Sequence, residues 1–254
     1  MTKLFIDVSS WQGALDWESL APLIDGAIIR CGYGDDVASQ DDYYWSRNVS
    51  ECERLGIPYG VYLYSYATDE RHAYSEAAHA IRLLQGHSPQ YPVYFDSEEH
   101  GTEGAAAICA TIFCTELEHA GYTAGIYASR SWWQSYLSGI GGWSKWVAEW
   151  GVSECSIECD IWQFTNNLEL NGQRFDANYV YMEGDLDMTD EQIEKLAKAI
   201  YRQFADAVGD DAKPIWSMDG KNTGTNYRNG YNLSRWYMDL LVSINDKLGK
   251  LLNK

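Results

Sequence analysis

Five strand-like runs separated by four helical stretches fill the first half of this chain, and that alternation restricts the fold more than any other feature. Residues 4–8, 26–32, 59–66, 91–95 and 124–128 are rich in the β-branched and aromatic side chains that suit a pleated surface. Helical patterns lie between them, at 16–24, 41–55, 68–84 and 104–120. Asp16, Asp41 and Thr68 stand where those helices start, and Gly56, Gly86 and Gly121 where they stop. The run Gly26-Ala27-Ile28-Ile29-Arg30-Cys31-Gly32 is nearly continuous in apolar residues, as a strand covered on both faces requires. Two more strand-like runs, 145–150 and 160–164, follow with little helical pattern between them. Strands alternating with helices imply a parallel sheet. Seven or eight of them within residues 1–190 predict a closed α/β barrel with fewer helices in its last third.

In such a barrel, functional side chains gather at the C-terminal ends of the strands. Asp7, Asp96, Glu98, Tyr127 and Trp150 all fall at or near such ends. Asp96 and Glu98 close the run Tyr91-Pro92-Val93-Tyr94-Phe95-Asp96-Ser97-Glu98-Glu99 and are two residues apart. In extended chain their carboxylates share a face, with Ser97 and Glu99 turned away. Paired carboxylates repel, so one tends to keep its proton near neutral pH, which is what general-acid chemistry requires. Tyr62, Tyr64 and Tyr66 alternate onto one face of the third strand, as barrel filling or as contacts for a ligand. Asp35, Asp36, Asp41 and Asp42 read as a solvated acidic rim or helix start, and Trp11 as a structural support.

Composition excludes several classes. Residues 1–190 carry 9 Lys and Arg against 29 Asp and Glu, a surface that a phosphate backbone would repel, so no nucleic acid is expected. No apolar run approaches a membrane span, so no membrane insertion is expected either. Leu4-Phe5-Ile6, cut off by Asp7, is too short for a signal-peptide core. The cysteines at 31, 52, 109, 114, 155 and 159 form no C-x-x-C and read as buried free thiols. The five histidines show no His-x-x-x-His spacing, so neither a metal nor a cofactor is expected.

The combination of motifs resembles glycoside hydrolase family 25, the Chalaropsis-type muramidases found in many phage endolysins. The resemblance rests on Asp7-Val8-Ser9-Ser10-Trp11-Gln12-Gly13, Ala27-Ile28-Ile29-Arg30, Gly60 to Ala67, Pro92 to Glu98, Gly125-Ile126-Tyr127, Ala148-Glu149-Trp150, Ile161-Trp162-Gln163-Phe164 and Gly184-Asp185-Leu186-Asp187, in that order over residues 1–190. It implies an irregular TIM-like (β/α)5(β)3 barrel. It also implies hydrolysis of the β-1,4 bond between N-acetylmuramic acid and N-acetylglucosamine in bacterial peptidoglycan. Glu98 would be the proton donor and Asp96 its assistant, with Asp7 and Asp187 completing an acidic cluster. Asp185 and Asp176 compete with Asp187 for that place, and Thr189 stands where the family often has Asn after its Asp-x pair. Tyr62, Tyr64, Tyr127 and Trp150 are the expected sugar contacts; Gln163 is expected as a sugar contact or a support for one. The enzyme would be made in a host cytoplasm and act on the wall after release. The rival readings are a non-catalytic wall-binding barrel, against which the full acid set argues, and a sugar deacetylase, against which the histidine spacing argues.

Net charge changes sign near residue 190, since residues 191–254 carry 10 Lys and Arg against 8 Asp and Glu. The expected division is therefore a catalytic barrel over 1–190 and a small helical region over 191–254. Residues 190–208 and 231–252 each carry an apolar stripe at helical spacing, with a polar linker between. Two such stripes need partners, which predicts a homo-oligomer through these helices or a wall-binding module.

Overall fold

The computed structural model describes residues 2–182. The expectations placed on Asp185, Asp187 and the helices of 191–254 fall outside the described residues.

Eight strands close into one barrel in sequence order. They are β1 (Lys3–Val8), β2 (Gly26–Tyr33), β3 (Tyr59–Tyr64), β4 (Val93–Asp96), β5 (Ala124–Ser129), β6 (Ser144–Ala148), β7 (Ile161–Leu170) and β8 (Gln173–Val180). The first seven run parallel, and β8 returns antiparallel to both β7 and β1, pairing Asp7 with Asp176. The connecting helices are α1 (Trp17–Leu20), α2 (Trp45–Leu55), α3 (Glu70–Leu83), α4 (Ala106–His119) and the short α5 (Arg130–Ser135). No described helix links β6 to β7 or β7 to β8. This is the closed α/β barrel that the strand pattern predicts, in the (β/α)5(β)3 form that the family resemblance implies.

Alternation along each strand separates two cores. Outward side chains such as Ile29, Val61, Phe95 and Ile126 pack under the helices, against Val49, Ala77 and Phe113. Inward ones, including Phe5, Ile28, Tyr94, Tyr127, Trp146, Ile161 and Val180, fill the barrel. Phe5 and Tyr94 fit because glycine faces them across the pleat. A Cβ at Gly26 would overlap the Phe5 ring, and one at Gly125 the Tyr94 ring.

Four local expectations are corrected. The α2 helix starts at Trp45 rather than Asp41, because Asp41 and Asp42 bind other groups. Asp69, not Thr68, caps α3, accepting from the His72 N–H at 3.0 Å. Cys155 and Cys159 are only partly buried, whereas Cys31, Cys52, Cys109 and Cys114 are buried free thiols as expected. The last strand, β8, has no counterpart among the predicted runs. It is reached through Asn171-Gly172, both at positive φ (53° and 77°), the two-residue turn whose twist matches a hairpin.

Candidate active site

The inward face changes character toward the C-terminal ends of the parallel strands. There Asp7, Arg30, Asp96, Gln163, Asp176 and Asn178 replace the aromatic filling. The antiparallel sense of β8 brings its N-terminal half, with Asp176, to the same end. Two shallow depressions on the flanks, one beside α1 and one beside the β6–β7 loop, hold no such convergence of acids.

Asp7 is buried and accepts at Oδ2 from Asn178 Nδ2 (2.8 Å) and Gln163 Nε2 (3.1 Å). Both amides are obligate donors, so any proton on this carboxyl must sit on Oδ1. Burial and the Asp176 charge push its pKa up to about 7, against the pull of the two amides. Asp96 is buried as well, and its Oδ1 has no hydrogen-bond partner among the described residues. Burial, then Glu98 and Asp7, push its pKa well above the ordinary carboxylate range, with Arg30 opposing. A buried oxygen without a donor favours the neutral acid for the same reason.

Glu98 and Asp176 are only partly buried, so both reach the mouth. Burial raises both, and on Glu98 the charges of Asp176 and Glu99 add to it. The Tyr127 hydroxyl acts the other way on Glu98, favouring its charged form. Burial and mutual repulsion therefore push all four carboxyls toward their protonated, neutral forms.

Gln163 joins this acid floor to the rim. Its Oε1 accepts from the Tyr127 hydroxyl (3.1 Å) and from Trp150 Nε1 (3.2 Å), while its Nε2 donates to Asp7. Tyr127 is nearly buried, whereas the Trp150 ring is half exposed and stands free for a ligand. Tyr62 packs edge-on against Trp146 in the barrel interior, below the acids. Tyr64 donates to Glu99 Oε2 (2.8 Å), which fixes the residue after Glu98.

The geometry thus gathers Asp7, Asp96, Glu98, Tyr127, Trp150 and Gln163 at one mouth, with Tyr64 bordering it and Tyr62 packed beneath it as barrel filling. Asp176, one of the three candidates for the fourth acid, stands with Asp7, Asp96 and Glu98 at the mouth, while Asp185 and Asp187 lie outside the described residues. Asp176 was among the rivals offered by the sequence, but the strand that carries it and Asn178 went unread; its signal was Asp176-Ala177-Asn178, an Asp-x-Asn whose alternation puts both polar side chains inward, shortly after the Asn171-Gly172 hairpin turn. Trp11 is not a support, since its side chain is 85% exposed. Asp42 is no solvated rim acid: it is buried and pairs with Arg30 Nε at 2.8 Å. Asp41 binds His79 and Arg82, and Asp36 binds Arg82, so these too are built into the loops. Among the described residues no three His, Cys, Asp or Glu side chains converge as ligands for a metal ion.

Known proteins place this arrangement in context. The sequence profile of the glycosyl hydrolases family 25 matches residues 6–173, which include Asp7, Asp96 and Glu98. Lysozyme M1 of Streptomyces globisporus is 26% identical over 201 residues, covering 68% of this chain and 65% of that protein. The modular autolysin LytC from Streptococcus pneumoniae superposes with a TM-score of 0.60 at 28% identity, over 71% of this chain and 47% of that one. The catalytic domain of endolysin ply40, from bacteriophage P40 of Listeria monocytogenes, has a TM-score of 0.63 at 20% identity, over 77% and 97% of the two chains, and so shares the fold. This chain spans about two-thirds of the lysozyme and under half of the autolysin. With the profile covering well over half of its length, the chain belongs to glycosyl hydrolase family 25.

Proposed function

We propose that this protein is a peptidoglycan hydrolase that cuts the β-1,4 bond between N-acetylmuramic acid and N-acetylglucosamine. The observation that carries the reading is the arrangement of the four acids. Glu98 and Asp176 open to the mouth, and the buried Asp96 and Asp7 stand behind them, with every ionisation displaced upward. A carboxyl held neutral at the mouth can give its proton to the glycosidic oxygen as the C–O bond breaks. Glu98 takes that role. Asp176, whose charge bears on Glu98, meets the positive charge that develops on the sugar ring, and Asp96, held toward its neutral form, assists by positioning the sugar's acetamido group. Water completes the hydrolysis at the anomeric carbon, leaving a new reducing end. Asp7, locked by Asn178 and Gln163, tunes the cluster from behind, and Trp150 offers a stacking face to the sugar.

The place of action is the bacterial cell wall, and likeness to a phage endolysin supports a role in phage-driven lysis. Residues 191–254 serve as an appended oligomerisation or wall-binding region, a reading tested by light scattering of the full chain with and without wall fragments. The chemistry is tested by mass spectrometry of digested walls. New reducing ends on N-acetylmuramic acid support the assignment, and reducing ends on N-acetylglucosamine or loss of acetyl groups refute it. Wall binding without any cleavage would instead identify a non-catalytic barrel.

A further inference from the structure

Two aromatic rings at the barrel mouth have no part in the site described above. Trp11 is 85% exposed and Tyr43 is 84% exposed. Trp11 follows β1 and Tyr43 follows β2, so both lie at the end of the barrel that carries the acids. Single exposed aromatics are ordinary; the rigidity of the backbone that presents these two is not. Buried Asp42 accepts from the Ser10 N–H (2.9 Å), the Tyr44 N–H (2.9 Å) and Arg30 Nε (2.8 Å), and Arg30 Nη2 donates to Ser10 Oγ (2.8 Å). The residues beside both rings are therefore tied to one largely buried ion pair rooted on β2. On its other side the Trp11 turn is capped by Ser9 and Gln12 and held to β8, where Gln173 Nε2 donates to Gln12 O at 2.6 Å. An ion pair taken out of water adds little stability by itself. Here it holds two apolar faces in water at fixed positions.

The strand order gives those positions a direction. In a closed barrel of eight strands, β2 and β6 lie diametrically opposite. Tyr43 stands beyond β2, and Trp150 beyond β6. A chain crossing the mouth from one to the other must pass over the acids between them.

We propose that Trp11 and Tyr43 form a distal stacking rim for sugar residues of the same glycan strand, away from the bond that is cut, so that the enzyme prefers long strands. This rests on the muramidase reading. Pyranose rings have apolar faces that suit such platforms, and flat exposed rings on a rigid base bind them at small entropic cost.

The test compares Trp11→Ala and Tyr43→Ala with the parent on long glycan strands and on a short fragment holding one cleavable bond. On long strands kcat/KM is expected to fall roughly 3- to 10-fold for each ring, the size of one aromatic stacking contact. The fall lies in KM, and it exceeds the fall on the short fragment. Equal losses on both substrates, or none on either, overturn the rim. A loss seen only when the strands carry their stem peptides also overturns it, assigning the rings to peptide instead. The same variants in an E98Q background, measured by calorimetry on long strands, should show affinity reduced by a similar factor. This arm separates the two claims: a parent that cleaves nothing refutes the muramidase reading, while the binding loss still judges the rim.

Discussion

The floor and the mouth of this barrel are built from the same alternating strands and solve opposite problems. The floor is filled by Phe5, Tyr94, Trp146, Ile161 and Val180, with glycines at 26 and 125 removing the atoms that would collide. Its polar edges are satisfied: Trp146 Nε1 donates to Asn178 (2.8 Å), and the Tyr94 hydroxyl meets Ser144 Oγ (3.0 Å). At the mouth, Asp96 keeps an oxygen without a donor, and four carboxyls are pushed toward their neutral forms by burial and by one another. The floor holds the barrel closed, and the mouth is held in an unfavourable electrostatic state by that closure. Strain of this kind at a functional site is maintained by the surrounding structure.

The sharpest way to break this contrast is Glu98→Gln, which keeps the shape and removes the proton. Wall-hydrolysing activity should fall by roughly 10²- to 10⁴-fold, the usual contribution of a general acid, with thermal stability kept or raised. A variant that loses its fold together with its activity would put Glu98 with the floor.

Asp7→Asn tests the electrostatic cost directly. In the folded chain Asp7 ionises at about 7 instead of 3.8, so between those values the folded state holds more protons than the unfolded one. Its contribution to stability is therefore fullest below about pH 4 and is lost as pH rises toward 7. The substitution should flatten that fall and stabilise the protein near pH 7 by on the order of 2–4 kcal/mol, while activity drops. Denaturant unfolding at pH 4 and pH 7 measures it, and equal effects at the two values would contradict the shift.

Gly125→Ala probes the floor in the opposite sense. The added methyl meets the Tyr94 ring, and overpacking of this kind costs about 1–3 kcal/mol. The loss should show in unfolding experiments at every pH, unlike that of the acids. A stability unchanged by the methyl would mean the interior has slack that the packing does not show.

Tyr127→Phe touches both regions and should have the smallest effect. It removes the hydroxyl bond to Gln163, worth about 1 kcal/mol, and with it the polar hydroxyl whose influence favours ionised Glu98. With Glu98 as the acid, the alkaline limb of the pH–rate profile moves to higher pH. A limb that stays in place would assign it to another carboxyl.

Residues close in sequence made much of this legible in advance. Five strands and the first four helices followed from local composition, because each strand is a short apolar run and each of those helices is bounded by its own stop; the short α5 (Arg130–Ser135) had no such signal and came only with the family resemblance. Asp96 and Glu98 were legible from their two-residue spacing at the end of one strand, although β4 itself closes at Asp96 and Glu98 follows in the loop, and Asp7 because it lies near the end of another. The β7–β8 hairpin was harder to see. Its strands are mixed in polarity, with bulges that break the period, although Asn171-Gly172 marked the turn.

The chain's local pattern determined the barrel, the end at which its chemistry gathers, and three of the four acids. Tertiary structure alone decided the rest. It placed Asp176 opposite Asp7, because strand register across the closure joins residues far apart in sequence. It buried Asp42 against Arg30, and it left Trp11 in water. It also displaced the ionisation of Asp7, Asp96, Glu98 and Asp176, since burial and neighbouring charge depend on what surrounds a side chain rather than on its own identity.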